Sequence, residues 1–302
     1  MNFDSHLPYY TINDYLKKEF GAKVIKLSLN AGFTCPNRDG SKGFDGCIFC
    51  SELGSGDMAS DINGQIELLS KKWTTDKYIA YFQSYTNTYA PVSELKEKFY
   101  SAIKHPGVVG IAIATRPDCL SSDVLTLLDE LNKKTFLWVE LGLQTVHDET
   151  AKNINRCYHF SDFDTAMKKL SALEVKSVVH LILGLPGETK EQMLESVKIV
   201  CKYNPFGIKL HLLNIIEGSA ITTLYPEYVP FDSIDEYVNL VCDALEIIPP
   251  DITIHRLTAD APRKLLIAPK WSYKKRTILN NIYKEMKSRG SWQGCKLLSP
   301  TV

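Results

Sequence analysis

Lys23-Val24-Ile25-Lys26-Leu27-Ser28-Leu29 is a short apolar run that reads as a buried strand. It feeds directly into Asn30-Ala31-Gly32-Phe33-Thr34-Cys35-Pro36-Asn37-Arg38-Asp39-Gly40, and the loop continues through Cys47-Ile48-Phe49-Cys50 to Asp57. Glycines at 32, 40, 43, 46, 54 and 56 and few large apolar side chains make this a loop that can wrap a ligand and aim backbone N–H groups at it. Working outward, strands are predicted at Lys77–Phe82, Val108–Ala114, Phe136–Leu143, Val175–Leu183, Gly207–Ile215 and Ile252–Leu257. Between them lie helical patterns at Ile62–Trp73, Ser93–Lys104, Ser122–Asn132, Ser161–Leu173, Lys190–Lys202 and Ile234–Ile247, and Tyr273–Arg289 closes the chain. This alternation predicts an α/β fold with a parallel sheet and crossover helices. Seven strand segments, counting Lys23–Leu29, suggest a partial (β/α)6-type barrel with an accessory C-terminal strand and helix. Such architectures carry their sites at the C-terminal ends of the strands, so the cysteine loop and the polar strand ends would converge on one mouth.

Of eight cysteines, Cys119, Cys157, Cys201, Cys242 and Cys295 are scattered and read as small buried hydrophobes. Cys35, Cys47 and Cys50 fall within one loop. A structural zinc site wants four closed ligands, and no histidine lies between Tyr10 and Lys104 to complete one. A redox Cys-x-x-Cys pair leaves Cys35 without a role. Three thiolates can instead hold three irons of a 4Fe-4S cluster and leave the fourth iron open. The glycine-rich setting favours the cluster, with a zinc-bound or metal-free loop as the alternative.

The 302 residues are 44% hydrophobic and 23% charged, which excludes wholesale disorder. No apolar run approaches the ~20 residues of a membrane span. Met1 to Tyr15 lacks the pattern of a secretory signal, so a cytoplasmic protein with no membrane partner is expected. Thirty-five basic residues balance thirty-five acidic ones, which taken alone argues against a polyanionic partner. The distribution argues otherwise. From Ala261 to Val302 ten Lys and Arg face the single acid Glu285, a balance of +9, so residues 1–260 carry −9. Lys270, Lys274, Lys275, Arg276, Lys284 and Lys287, interleaved with Trp271, Tyr273, Tyr283 and Trp292, offer phosphate contacts and stacking surfaces for unpaired bases. The plainer reading is a solvated closing helix with Ile278, Leu279, Ile282 and Met286 as its buried stripe; one helix can do both. Residues 1–260 are expected to form the catalytic domain, with 261–302 as a basic extension packed on it.

Cys35…Cys47-Ile48-Phe49-Cys50 after a first strand resembles the radical S-adenosylmethionine (SAM) superfamily. The first gap there is usually three residues, and the eleven here resemble the elongator-type branch. Ala114-Thr115-Arg116-Pro117-Asp118, Glu140-Leu141-Gly142-Leu143-Gln144, Asn155-Arg156 and Leu183-Gly184-Leu185-Pro186-Gly187-Glu188 fit that branch. With Asn30–Gly40 and His255-Arg256-Leu257-Thr258-Ala259-Asp260-Ala261-Pro262, the chain resembles, nearly end to end, a small stand-alone bacterial elongator-like family associated with tRNA wobble-uridine maturation. The resemblance implies a radical SAM barrel. It also implies a 4Fe-4S cluster on Cys35, Cys47 and Cys50, SAM on the open iron, and reductive cleavage of SAM to a 5′-deoxyadenosyl radical that abstracts hydrogen. A reductant protein such as flavodoxin or ferredoxin would deliver the electron. The substrate would be tRNA, its carboxymethylaminomethyl-type uridine converted to an aminomethyl-type one upstream of a methyltransferase. A chain ending at Val302 leaves no room for the acetyltransferase domain of elongator enzymes, so trimming or rearranging an existing substituent is expected.

The same resemblance implies site residues, and polar positions on the strands add His180, His211, Asn214, His255 and Arg256, each with a plainer alternative. Phe49 would pack on the adenine, or simply within the loop. Gln83, Ser84 and Thr86 follow the second strand, where relatives bind the SAM amino group, although the usual Gly-Gly-Glu is absent; a plain polar loop is the alternative. Arg116 would reach the mouth to face an anion, or lie solvated. Glu140, inside an apolar strand, would accept from the ribose hydroxyls or sit in a structural salt bridge. Gln144 follows it, and Arg156 would pair the SAM carboxylate bidentately. Gly184 and Gly187 would admit the adenine or serve a turn. His180 is a cavity residue or a satisfied core histidine. His211, Asn214, His255 and Arg256 are substrate-contact candidates, or else tie down the accessory strand. Two other functions compete with the tRNA enzyme: radical SAM chemistry on a small molecule, and a non-catalytic metal-stabilised RNA-binding module.

Overall fold

The structure, a computed structural model, describes residues 7–52, 54 and 59–297. Parts of three sequence readings lie outside the described residues: positions 53 and 55–57 of the cysteine loop, Gly56 included, positions 1–6 of the N-terminal segment, and positions 298–302 of the 261–302 extension. In chain order the elements are α1 (Ile12–Phe20), β1 (Ile25–Leu29), α2 (Ile62–Ser70), β2 (Tyr78–Phe82), α3 (Val92–Ile103), β3 (Val108–Thr115), α4 (Ser122–Asn132), β4 (Phe136–Gln144), α5 (Asp148–Asn153) and α6 (Phe160–Ala172). They continue with β5 (Lys176–Leu183), α7 (Lys190–Cys201), β6 (Gly207–Leu212), β7 (Ile215–Ile216), α8 (Ile221–Leu224), α9 (Ile234–Ile247), β8 (Thr253–Arg256), β9 (Leu266–Ala268) and α10 (Lys275–Arg289).

Seven strands pair in parallel in the order β1-β2-β3-β4-β5-β6-β8. Each new strand is added on the same side of the last, so the right-handed crossovers stack their helices on one face and the sheet curls the other face inward as a half-barrel. The outer face carries Leu27, Ala80, Ile113, Val139, Leu141, Val179 and Leu210 into a core completed by Phe99, Leu128, Phe163, Val197 and Tyr237 of the helices. Ile278, Ile282 and Met286 of α10 are buried in the same core. Among the described residues no helix is long and apolar enough to cross a membrane.

Besides the short helices α5 and α8, which carry no periodic signal, three features depart from the sequence expectations. Gly207–Ile215 is two strands: β6 stops at Leu212, and Ile215 belongs to β7, which pairs antiparallel with β9. Strands of two and three residues are too short to carry a periodic signal. The closing helix starts at Lys275, because Lys270–Tyr273 forms a 3-10 turn. The unpredicted α1 is bounded by a Thr11–Asp14 capping box and by Gly21 in the left-handed region. This helix plugs the bottom of the half-barrel: Ile12 and Leu16 join Ile79, Tyr81, Ala112 and Trp138, and the Tyr15 ring stacks on Phe136 at 5.9 Å.

Candidate active site

Alternation along the strands sends Tyr81, Ala112, Trp138, Glu140, His180, Lys209 and His211 into the concave interior, and parallel register ranks them in layers. The floor is aromatic, with Phe136, Trp138 and Phe206 packed under α1. An ionic layer lies above it. Glu140 is fully buried: one carboxylate oxygen accepts from the Trp138 indole at 2.8 Å, the other from His180 Nε2 at 2.8 Å and from Lys209 Nζ. Lys209 also donates to the Tyr81 hydroxyl at 3.0 Å. Burial works to raise the Glu140 pKa, but Lys209 and His180 more than offset it and hold the carboxyl well below the usual range. Burial pushes Lys209 down to about 7 despite Glu140, and burial together with the Lys209 charge pushes His180 down to about 4.

At the mouth is a cavity of about 280 Å³, lined by Cys35, Cys47, Phe49 and Cys50 on one side and by strand-end residues on the other. Short backbone turns shape the cysteine loop: Arg38 N donates to Cys35 O at 2.9 Å, and Cys50 N to Cys47 O at 3.0 Å. Buried Asn37 donates to the Asn155 carbonyl at 2.5 Å and points the same amide at Cys47 Sγ, 3.6 Å away. Asn155, at φ 53°, in turn donates to Gly46 O at 2.7 Å. A Cβ on Gly43 would stand 2.2 Å from Asn37 Oδ1 and 2.9 Å from Cys157 Sγ, so this cradle closes only over a glycine. Arg38 clamps the carbonyls of Ser51 and Glu52 and lies over Tyr85.

These residues suit a 4Fe-4S cluster. Three thiols line one cavity, an amide donor faces one sulfur, and the neighbouring Cys50 thiol and burial push Cys47 well up, so metal must draw its proton off. Among the described residues no three His, Cys, Asp or Glu side chains gather closely enough to hold a single ion. Thiolates of a cubane bind separate irons and so stand farther apart than the ligands of one ion.

Gln83, Thr86, Arg116, Glu140, Gln144, Arg156, His180, His211, Asn214 and Arg256 line the same cavity. Ser84 does not; it is buried beside it with its hydroxyl unpartnered. Phe49 packs against the apolar cluster of Ile48, Leu185, Leu213 and Ile215 at the cavity edge. Gln144, at φ 65° on a register shift, folds back so that its Oε1 accepts from Tyr158.

Several expectations are corrected. Arg156 has no donor left for a carboxylate: its five N–H groups go to the carbonyls of Leu143, Thr145 and Tyr158 (twice) and to Asp148. Arg116 does face an anion, but the anion is Asp118 of its own chain, gripped at 2.9 Å by two nitrogens and shared with Lys42. Glu140 takes the structural salt bridge, its plainer reading, while still lining the cavity. Gly184 packs away from the cavity, where a Cβ would meet the Phe231 ring at 2.7 Å; Gly187 serves the turn beyond it. His255 belongs to the floor, edge-on to Trp138 and Phe206, with Nε2 3.0 Å from Thr253 Oγ1. On the tail, Lys270 is spent on Leu266 O and Lys275 on Asp260. Lys274, Arg276, Lys284 and Lys287 are exposed and show no ion pair among the described residues. Arg276, Lys284 and Lys287 share the helix face opposite Ile278, Ile282 and Met286.

Residues that sequence reasoning passed over include Lys209, Asn37, Asp118 and Asp260. Lys209 had the same signal as Glu140, a charge inside an apolar strand. The Asn155 partner of Asn37 lies far along the chain and leaves no local trace, and of the two partners of Asp118 only Lys42 is distant, Arg116 standing two residues before it.

The model of the Radical SAM superfamily matches residues 33–200, and that of the Radical_SAM C-terminal domain residues 205–288. "Uncharacterized protein YtqA" of Bacillus subtilis is 47% identical over 95% of this chain and 92% of its own length. A "tRNA uridine(34) acetyltransferase" of Dehalococcoides mccartyi is 29% identical over 53% of this chain and 35% of its own. Among solved structures, the archaeal Methanocaldococcus infernus Elp3 superimposes with a TM-score of 0.68 at 20% identity, over 89% of this chain and 64% of the other; at that identity the likeness concerns the fold.

Proposed function

Because this chain belongs to the Radical SAM superfamily, we propose that it is the enzyme that trims the 5-substituent of the tRNA wobble uridine, from a carboxymethylaminomethyl-type to an aminomethyl-type group, ahead of a methyltransferase. The radical SAM part of that statement rests on the family. A bound 4Fe-4S cluster supplies the electron that cleaves SAM. The observation that carries the substrate reading is the meeting of two surfaces at one mouth. Asp260 lines the cysteine-bearing cavity and also pairs with Lys275, at the start of the basic helix, at 2.9 Å. A phosphate chain lying on Lys274, Arg276, Lys284 and Lys287 would therefore end at the cavity. The likeness to a protein named for uridine 34 of tRNA supports the same class of substrate.

Within this reading Cys35, Cys47 and Cys50 hold the cluster, with Asn37 and Asn155 bracing their loop. Phe49, Gln83, Thr86 and Gln144 line the SAM side of the cavity. Lys209, Glu140 and His180 form a hydrogen-bonded ionic base beneath. Residues 261–302 act as a basic extension on the catalytic part, and a reductant protein such as flavodoxin or ferredoxin serves as electron source.

The test is mass spectrometry of tRNA nucleosides from cells lacking the protein. Loss of the aminomethyl-type products with accumulation of the carboxymethylaminomethyl nucleoside is expected, restored by the wild-type chain and not by Cys50→Ala. An unchanged wobble-uridine profile, with SAM cleavage intact in the purified protein, would instead point to a small-molecule substrate.

A further inference from the structure

Four arginines line this cavity and have different fates, Arg38 being bonded to the carbonyls of Ser51 and Glu52. Arg116 is held by Asp118, and Arg156 spends every donor on its own chain. Arg256, at the end of β8, makes one ion pair, to Asp260 at 3.2 Å, and Asp260 is shared with Lys275. Two cations on one carboxylate leave positive charge in surplus at the cavity wall. Two buried polar atoms without a protein partner, His211 Nε2 and Asn214 Oδ1, belong to side chains that line the same cavity as Arg256. Lys209, two residues before His211 on β6, pairs with Arg256, which places His211 and Arg256 on adjoining strands, and Asn214 follows just after the end of β6. Burial, reinforced by the Arg256 charge, holds His211 neutral, so it can offer an N–H and does not add to the repulsion. An amide can turn either end to a ligand.

We propose that His211, Asn214 and Arg256 form a carboxylate-binding subsite that receives the acidic end of the substrate's 5-substituent. The inference rests on the wobble-uridine reading and specifies how that substrate is chosen. A guanidinium with free donors matches a planar carboxylate with two parallel bonds, and the imidazole and amide supply the remaining donors. Arg256 is only partly buried, so its unmatched charge stays open to a ligand from the cavity. The aminomethyl product carries no carboxylate and is itself cationic, so the same subsite that holds the substrate would release the product.

SAM also carries a carboxylate, and the experiment separates the two sources. Cluster-loaded protein is titrated anaerobically with three anticodon stem-loops bearing 5-carboxymethylaminomethyluridine, 5-aminomethyluridine or uridine at the wobble position. S-adenosylhomocysteine is titrated in parallel. The wild type is expected to prefer the carboxylate-bearing loop by about tenfold or more. Arg256→Gln should erase that preference and leave affinity for the uridine loop and for S-adenosylhomocysteine unchanged. Asn214→Ala should weaken it in the same direction, and serves if Arg256→Gln melts early. Equal affinities in the wild type, or a variant that loses S-adenosylhomocysteine while keeping the preference, overturn the subsite. If no stem-loop binds better than a scrambled hairpin and the cellular nucleoside profile is unchanged, the wobble-uridine reading itself fails and takes this subsite with it.

Discussion

Glu140 organises the interior at the residue scale, because each of its oxygens is claimed by the protein before any ligand arrives. Its neighbours include histidines that folding keeps neutral: His180 at about 4, and His211 and His255 well below their usual value, in each case chiefly through burial. The consequence for stability has a definite sign. Unfolded histidine takes a proton near pH 6.5 and the folded ones do not, so the unfolded state binds more protons in the window from about 6.5 down to about 4. The stabilisation is complete above that window and is lost as pH falls through it. At about 1.4 kcal/mol per pKa unit, His180 alone accounts for about 3 kcal/mol at pH 4. Urea unfolding at pH 7 and pH 5 should show the decline, and His255→Phe, which keeps the ring packing, should make it shallower. A flat profile between those pH values would contradict it. The buried position of Glu140 was legible from its apolar strand, but its salt bridge was not, since Lys209 lies on β6, 69 residues away.

At the scale of elements, the connection between α5 and α6 determines how the mouth is built. Asn155 and Cys157 adopt positive φ, which turns the chain so that Asn155 grips the cysteine loop while Arg156 reaches back to the end of β4. A guanidinium satisfying three carbonyl groups and a carboxylate is a brace, and removing it orphans buried acceptors. Arg156→Ala should therefore cost about 3–5 kcal/mol and lower the iron retained per chain. Arg156→Lys should rescue little, because one ammonium cannot reproduce the planar fork. Thermal melts read with iron content decide this; a variant with normal stability and iron but weakened SAM binding would return Arg156 to the ligand. In the sequence, Asn155-Arg156 stood out as a motif, yet a motif records that an arginine is needed and not which acceptors it meets.

The whole molecule resolves the zero net charge into opposed parts. Basic Arg289 and Lys296 bond to Asp243 and Glu246 of α9, so part of the +9 tail is spent on docking. What remains on α10 faces outward. Lys284→Glu with Lys287→Glu should weaken tRNA binding and lower the slope of log affinity against log salt by about 2, with SAM cleavage in the absence of tRNA untouched. An unaltered salt slope would remove the helix from the interface. By itself, the sequence determined the order of strands and helices, the parallel sheet and the cysteine loop at its C-terminal edge, because these follow from periodicity and spacing within a few residues along the chain. Only the tertiary structure decided which charges are spent and which are left for a ligand. Arg116, Arg156 and Arg256 look alike in sequence, and their fates depend on acceptors that the curled sheet brings near or leaves distant. A hydrogen bond or ion pair depends on distances across the fold, and one-dimensional spacing does not contain them.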